Sequence, residues 1–111
     1  MKNFVAVGNI LTLPAPAALT SGQGALIGSI FGVAQKDASS GEDVAILVTG
    51  VFELPKAASQ AWTVGAKVYW DNTAKVCTTT VGTNTLIGVA VKAVGGTAGE
   101  TTGTVRLNGS F

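Results

Sequence analysis

The sequence contains no histidine, one cysteine and one arginine, and only 12% of its 111 residues are charged. Without histidine, neither an imidazole general base nor an imidazole metal ligand is available. A lone cysteine, Cys77, excludes an intrachain disulfide and a cysteine-based zinc site. The net charge of +1, without any Lys/Arg cluster, excludes the electrostatic surface of a nucleic-acid-binding protein.

Charge is scarce relative to the surface that a chain of this size exposes. Hydrophobic residues make up 47% of the sequence, and the charged fraction is about half of the roughly 25% found in average proteins. A folded chain of this mass exposes roughly 5,700 Å², which leaves about one charge per 430 Å². The length predicts a single domain over residues 1–111. Because charge is scarce on its surface, we expect this domain to act as an oligomer or as part of an assembly.

The uncharged N-terminal region does not predict a membrane span. No charge occurs between Lys2 and Lys36, but glycines and prolines interrupt the stretch before about 18 apolar residues accumulate. Apolar residues 4–13 followed by Ala15-Pro16-Ala17 resemble a signal peptide. Because Gly8-Asn9 interrupts the apolar part, we expect the segment to be retained, with secretion as a minor alternative.

Fifteen glycines, fourteen valines and fourteen threonines are typical of a β protein. We predict an all-β, barrel-like or sandwich fold, with an open β-tulip as a further option, of seven to eight short strands and at most one helical turn near residues 56–61. We expect the N-terminal residues to form an extended strand or arm. A tight hairpin is expected at residues 71–74. The predicted strands cover residues 3–13, 24–35, 44–54, 67–70, 75–80, 86–93 and 104–108.

The glycines and valines of these strands carry finer expectations. Gly28, Gly32 and Gly50 suggest bulges or close backbone approaches. Along residues 44–54, the inward-facing side chains are expected to be those of Val44, Ile46, Val48 and Val51.

Few residues suggest chemistry. The nearest approach to a phosphate-binding loop is Gly65-Ala66-Lys67, which lacks the first glycine and the hydroxyl, so no nucleotide or other cofactor is expected. Asp37, Glu42 and Asp43 share one loop and have oxygen ligands for Ca²⁺, but their spacing fits a solvated loop better. Cys77 has no base partner, so we interpret it as a packed strand residue.

Three large aromatic residues, Trp62, Tyr69 and Trp70, lie within nine residues of one another. Such a cluster can stack on sugars or bases, but stacking on bases comes with a basic groove, and only Lys67 and Lys75 are near. We favour the interpretation that the three are core or subunit-interface anchors. Stacking on carbohydrate stays open as the alternative.

Several segments resemble one known family when taken in order. They are Gly32-Val33-Ala34 before an acidic loop, the run from Thr49 to Lys56 (TGVFELPK), the run from Val64 to Asp71 (VGAKVYWD), Leu86-Ile87-Gly88-Val89-Ala90, and Gly103-Thr104-Val105-Arg106-Leu107. Together they resemble the capsid cement, or head decoration, proteins of tailed phages. The resemblance runs from about residue 22 to residue 107, and the order of the pieces is more specific than any piece alone.

The resemblance implies a structural protein that performs no catalysis and uses no cofactor. Members of that family bind the outer surface of the phage head as homotrimers and reinforce contacts between major capsid protein subunits, so we expect the chain on the virion, without nucleic-acid or membrane partners. A secreted or particle-borne carbohydrate-binding domain is the alternative. Residues 1–13 are expected to form an arm that binds the capsid or a neighbouring subunit. The expected contact residues are Phe4, Val5, Ile10, Leu13, Trp62, Tyr69 and Trp70.

Overall fold

The computed structural model describes residues 10–108 of the chain. These residues form nine β-strands, and they contain no helix that is long and apolar enough to cross a membrane. The strands are β1 (Ile10–Pro14), β2 (Gly24–Ile27), β3 (Ile30–Ala34), β4 (Asp43–Leu47), β5 (Thr49–Pro55), β6 (Lys67–Asp71), β7 (Val76–Thr78), β8 (Thr85–Ala90) and β9 (Thr102–Asn108).

The strands form two antiparallel sheets, each made from one continuous part of the sequence. The four-stranded sheet has the order β1-β4-β3-β2, and the five-stranded sheet has the order β5-β9-β8-β6-β7. The all-β class predicted from the composition is confirmed, and two curled sheets are consistent with a barrel-like or sandwich fold. The strand count exceeds seven to eight because two predicted strands are each divided in two.

The predicted strand over residues 44–54 crosses from one sheet to the other. It divides at Val48 into β4 of the four-stranded sheet and β5 of the five-stranded sheet. The inward positions of Val44, Ile46 and Val48 are confirmed, since all three are buried. The expectation for Val51 is wrong because it is 56% exposed. The two-residue alternation continues past Gly50, so that the even-numbered Leu54 faces the core instead.

The predicted strand over residues 24–35 is a β-hairpin. Gly28 adopts φ +61°, which a glycine tolerates without a steric penalty, and the chain reverses there between β2 and β3. At Gly32 the expected close approach is confirmed. A Cβ added at Gly32 would lie 2.9 Å from the carbonyl oxygen of Leu47 and 2.9 Å from Cδ1 of Ile46.

The main hydrophobic core lies between the two sheets. Phe31 and Val33 of β3 contribute to it from the four-stranded sheet, and the Phe31 ring lies 4.8 Å from the Trp70 ring, centroid to centroid. Such tilted aromatic pairs add about 0.5–1.5 kcal/mol beyond the area they bury. The remaining buried members, from the five-stranded sheet and its loops, are Leu54, Trp62, Val68, Trp70, Cys77, Ile87, Ala90, Val105 and Leu107.

A second hydrophobic cluster covers the opposite face of the four-stranded sheet. Val44 and Ile46 of β4 pack there with Ala34 of β3 and with residues of the flanking loops. Leu19 and Ala38 join those loops by a pair of backbone hydrogen bonds. Strand β3 is therefore buried on both faces, which explains why its sequence is apolar at odd and even positions alike.

The structure agrees with both predictions near the aromatic residues, a hairpin at residues 71–74 and at most one helical turn near residues 56–61. The hairpin at residues 71–74 is confirmed, because Oδ1 of Asp71 accepts hydrogen bonds from the backbone N–H groups of Thr73 and Ala74. The segment 56–61 contains no helical turn. It forms a single bridge at Lys56 and a turn in which Ser59 adopts φ 57°.

Candidate functional site

Strand β1 lies at an edge of the four-stranded sheet. It pairs with β4 alone, in a register that sets Ile10 opposite Leu47 and Pro14 opposite Asp43. The other side of β1 has no partner strand among residues 10–108. An edge of this kind presents backbone donors and acceptors to which a strand of another chain can add.

The backbone hydrogen bonds show which residues of β1 face this open side. The N–H of Ala15 donates to the carbonyl oxygen of Glu42 at 2.9 Å and so continues the β1–β4 ladder. Because bonded residues alternate along an antiparallel pair, Leu13 and Leu11 also bond to β4. The N–H and C=O of Thr12 therefore point outward. Pro14, which has no N–H, lies on the same open side, where a missing donor costs no ladder bond.

The side chains of β1 divide between the core and the surface. Leu11 and Leu13 pack against the second hydrophobic cluster and are half-buried. Ile10, which is 48% exposed, and Thr12, which is also exposed, lie on the face of β1 opposite to these leucines. Two of the contact residues predicted in the arm therefore have exposed apolar surface. Ile10 exposes about half of its side chain, and Leu13 exposes a smaller part. Phe4 and Val5 lie outside the described residues.

The three aromatic residues predicted to act together are separated by the fold. Trp62 and Trp70 are each 2% exposed and belong to the main core. The Trp62 Nε1–H donates to Gln60 and the Trp70 Nε1–H donates to Asn72. Tyr69 is half-buried and points to the opposite face of β6 from Trp70. This conformation therefore presents neither tryptophan ring to a sugar or a capsid, and the core interpretation is the correct one for both.

A buried lysine beside Trp62 was not anticipated. Lys56 is 2% exposed, and its Nζ donates to the backbone carbonyl oxygens of Ala57, at 2.7 Å, and Gln60. The same Nζ lies 5.8 Å from the centroid of the Trp62 ring, within the range of a cation–π interaction. The sequence gives no sign of this, because a lysine that follows the end of a strand is ordinarily solvated.

Gln60 holds this lysine turn against strand β7. Its Oε1 accepts hydrogen bonds from Trp62 Nε1 at 2.9 Å and from the backbone N–H of Thr79 at 2.8 Å. Its Nε2 donates to Oγ1 of Thr78 at 3.0 Å. The polar groups of this cluster form their hydrogen bonds with one another within the chain, so the cluster has a structural role. We call it the clasp and define it by Lys56, Gln60, Trp62, Thr78 and Thr79.

Cys77 and the acidic loop, the remaining candidates for chemistry, have surroundings that fit a structural role. Cys77 is fully buried in the main core, and the desolvation raises the pKa of its thiol to about 12. It is the packed strand residue that the sequence predicts. The exposed acidic loop carries no metal cluster within residues 10–108. There, Asp37 accepts from the N–H of Ser21 and Glu42 accepts from the N–H of Ser39, which shapes the loop.

These features define a small antiparallel β domain in which β1 is one of the two edge strands of the four-stranded sheet. Comparison with protein families then identifies it further. The chain belongs to the phage cement protein family, whose model matches residues 5–107. This confirms the resemblance seen in the ordered motifs. No curated protein and no solved structure matches the chain. Membership gives the chain a structural role at the phage capsid and a capsid-associated location in the virion.

Proposed function

We propose that this protein binds the outer surface of a phage head and stabilises contacts between major capsid protein subunits, through the open edge of β1 and the residues that precede it. The observation that carries the proposal is the placement of β1. It is an edge strand whose outward Thr12 N–H and C=O have no partner among residues 10–108. The family supplies the context, since cement proteins act at the capsid.

The physical mechanism is addition of β1 to a strand of the capsid protein. Thr12 supplies an outward donor and acceptor, and exposed Ile10 adds apolar contact beside them. Each backbone hydrogen bond contributes about 0.5–1.5 kcal/mol net, so one edge of five residues binds weakly by itself. We therefore propose that the protein acts as a homotrimer, in which three linked edges gain avidity.

A proline substitution at the edge tests this mechanism. Thr12→Pro removes the outward N–H and leaves the bonds of Leu11 and Leu13 to β4 in place, so the fold should survive. Thr12→Val keeps the N–H and the β-branched shape and serves as the matched control. We expect Thr12→Pro to weaken binding to expanded empty heads at least about tenfold in a co-sedimentation titration, which corresponds to about 1.4 kcal/mol. Thr12→Val should bind as the unaltered protein does.

Thermal unfolding of both variants accompanies the titration and shows that the fold is retained. If Thr12→Pro is folded and binds heads with unaltered affinity, the edge of β1 is not the docking element. Deletion of residues 1–10 tests the arm separately. It should abolish head binding and leave the two cores folded, and unchanged binding of that deletion would refute a role for the arm.

The carbohydrate-binding alternative has no support from the geometry. It required exposed aromatic faces on Trp62, Tyr69 and Trp70, whereas both tryptophans are core residues.

A further inference from the structure

The four-stranded sheet has its second edge at β2. Strand β2 pairs with β3 in a hairpin that joins Ile27 to Ile30 across two residues. In such a hairpin Ile27 and Ile30 exchange backbone hydrogen bonds, and bonded pairs alternate along the ladder, so Ala25 also bonds to β3. The N–H and C=O groups of Gly24 and Leu26 therefore point to the other side of β2, which pairs with no strand of residues 10–108.

A groove of about 170 Å³ lies along this open side of β2. The loop from Pro16 to Leu19 forms one wall of the groove, and the β6–β7 hairpin forms the other wall with Asn72 and Lys75. Among the described residues that line the groove, only Lys75 is charged, and its Nζ donates to Oδ1 of Asn72 at 2.8 Å. The groove is therefore an uncharged channel beside unpaired backbone groups.

The two walls lie on opposite faces of β2. Ala25 packs with Leu19 in the second hydrophobic cluster, on the face that carries the loop. Leu26 packs against the main core on the other face, to which Trp70 and the hairpin that follows it belong. A strand that added to β2 in this groove would consequently be covered on both of its faces.

The residues that precede β1 have the sequence that such a position requires. A strand covered on both faces is apolar at odd and even positions alike, as β3 is. Residues 4–7 (Phe-Val-Ala-Val) are apolar at every position and rich in residues that favour strands, and residues 3–9 carry no charge. This segment of the chain therefore matches the groove in pattern and in charge.

The segment is too short to pair with β2 of its own chain. Because β1 and β2 are opposite edges of the sheet, a strand added beyond β2 lies four strand spacings from β1, or about 19 Å across the sheet. The chain from Val7 to Ile10 spans at most about 11 Å. Strand β4 offers the segment no partner either, because it ends at Leu47, opposite Ile10. An occupant of this sequence must come from another copy.

The directions of the strands fit a cyclic arrangement of such copies. Each strand of the sheet is antiparallel to its neighbours, so β1 and β2 run in opposite directions. Rotation about an axis along the strands preserves their directions, so a segment in line with β1 of a neighbouring copy would run antiparallel to β2. Such a contact between two different surfaces is heterologous and closes into a ring when the rotation allows it.

We propose that the groove along β2 receives residues 3–7 of a second copy of this chain as an added antiparallel strand. Gly24 and Leu26 supply the backbone hydrogen bonds, and apolar side chains of the segment fill the space between the walls. The inference rests on the proposed homotrimer, for which it supplies the subunit contact. The edge of β1 stays free for the head, and the residues that precede β1 serve head binding by linking the three edges.

Photo-cross-linking tests the contact directly. The photoreactive residue p-benzoylphenylalanine replaces Phe4, isotope-labelled and unlabelled chains are refolded together, and mass spectrometry locates each cross-link. We expect cross-links to residues 16–26 or 72–75 that join a labelled chain to an unlabelled one. Cross-links that are confined to single chains, that join copies at other residues, or that are absent altogether overturn the proposal.

A proline at the edge of β2 tests the same contact through the mass of the assembly. Leu26→Pro removes the outward N–H and leaves the bonds of Ala25 and Ile27 to β3 in place, and Leu26→Val keeps the N–H as the matched control. Light scattering coupled to size-exclusion chromatography measures the mass of each protein across a dilution series. We expect the unaltered protein and Leu26→Val to be trimers, and the Leu26→Pro trimer to dissociate at a concentration at least about tenfold higher. A monomeric or dimeric unaltered protein, or unaltered dissociation of folded Leu26→Pro, contradicts the proposal.

A second variant changes no residue of either core, so its effect on mass does not depend on whether Leu26→Pro folds. Val5→Asp combined with Ala6→Asp places a carboxylate on each face of the added strand, where burial of an unpaired charge is unfavourable. Lys2→Glu changes the net charge by the same amount outside residues 3–7 and is the control. The double variant should dissociate at a concentration at least about tenfold higher than Lys2→Glu, and equal dissociation of the two would refute the contact.

Thr12→Pro separates this contact from head binding. It alters the edge of β1 and leaves the groove and residues 3–7 unchanged, so it should remain a trimer even though the proposed docking edge predicts that it loses affinity for heads. If the unaltered protein forms the expected trimers and cross-links but does not bind heads, docking through β1 is refuted and this contact stands.

Discussion

Gly103 is the position at which the core interpretation of Trp62 can be tested most sharply. A Cβ added at Gly103 would lie 2.8 Å from both Cε3 and Cη2 of the Trp62 ring, and closer still to Cζ3. The ring cannot easily move away, because its Nε1–H is bonded to Gln60 and Lys56 Nζ lies over it. Gly103→Ala therefore forces a large, buried and anchored side chain to shift.

Overpacking of this kind costs about 1–3 kcal/mol. With an unfolding entropy of about 2.1 cal/mol/K per residue, the chain should lose about 4 °C of Tm per kcal/mol, or about 4–13 °C in all. Gly99→Ala is the matched control, because a Cβ at Gly99 would meet nothing within 4 Å. That substitution should leave the Tm unchanged or raise it slightly.

The assay is thermal and urea unfolding of both alanine variants, combined with a double-mutant cycle. Trp62→Leu removes the ring that Gly103→Ala displaces, so the two substitutions together should cost less than the sum of their separate effects. Additive effects, or a Gly103→Ala protein as stable as Gly99→Ala, would refute the packing of Trp62 against β9.

Two further predictions concern the clasp and the buried thiol. Gln60→Ala leaves the buried Trp62 Nε1–H and the Thr79 N–H without their acceptor and should lower the free energy of unfolding by about 2–4 kcal/mol. The control, Gln35→Ala at an exposed position, should change the free energy of unfolding by less than about 0.5 kcal/mol. Equal effects of the two substitutions in urea unfolding would contradict the clasp. Because burial raises the pKa of Cys77 from 9.0 to about 12, the unfolded thiol ionises first, and stability should fall between pH 9 and 12 by up to about 1.4 kcal/mol per pH unit. Cys77→Ala should lack this part of the pH dependence in parallel unfolding titrations, and an identical slope in both proteins would argue against the buried thiol.

The sequence predicted what alternation and turn chemistry determine locally. Val44, Ile46 and Val48 face inward as their two-residue period indicates, and the Asp71 turn forms where its side chain can accept backbone hydrogen bonds. The sequence did not predict that the chain passes from one sheet to the other at Val48. The two-residue alternation of buried side chains continues through this position without a change of phase, so the pattern carries no sign of the crossing.

Long-range features could not be predicted because they depend on partners distant in sequence. Lys56 is buried only because a turn and Trp62 surround its ammonium group with acceptors and an aromatic ring. The bulge at Ile87, where Val68 pairs with Gly88 and Tyr69 pairs with Leu86, depends on the register of β8 against β6. The sequence does not distinguish an aromatic residue at an interface from one in the core, because large aromatic side chains suit both places. Only the fold assigned Trp62 and Trp70 to the core.

The placement of β1 at the sheet edge had partial support in the sequence. Pro14 indicated an edge or connecting segment, since proline cannot donate to a central ladder. Which side of the strand stays open was determined by the pairing of β1 with β4 and by the hydrogen bond from Ala15 to Glu42.

The central claim is that the protein binds the outside of a phage head through the edge of β1. Electron cryomicroscopy of expanded heads incubated with the protein measures this directly, by comparison with heads imaged alone. We predict additional density on the outer surface, with β1 hydrogen-bonded to a strand of the major capsid protein at Thr12. Heads without added density, or bound protein whose β1 edge faces solvent, would contradict the account.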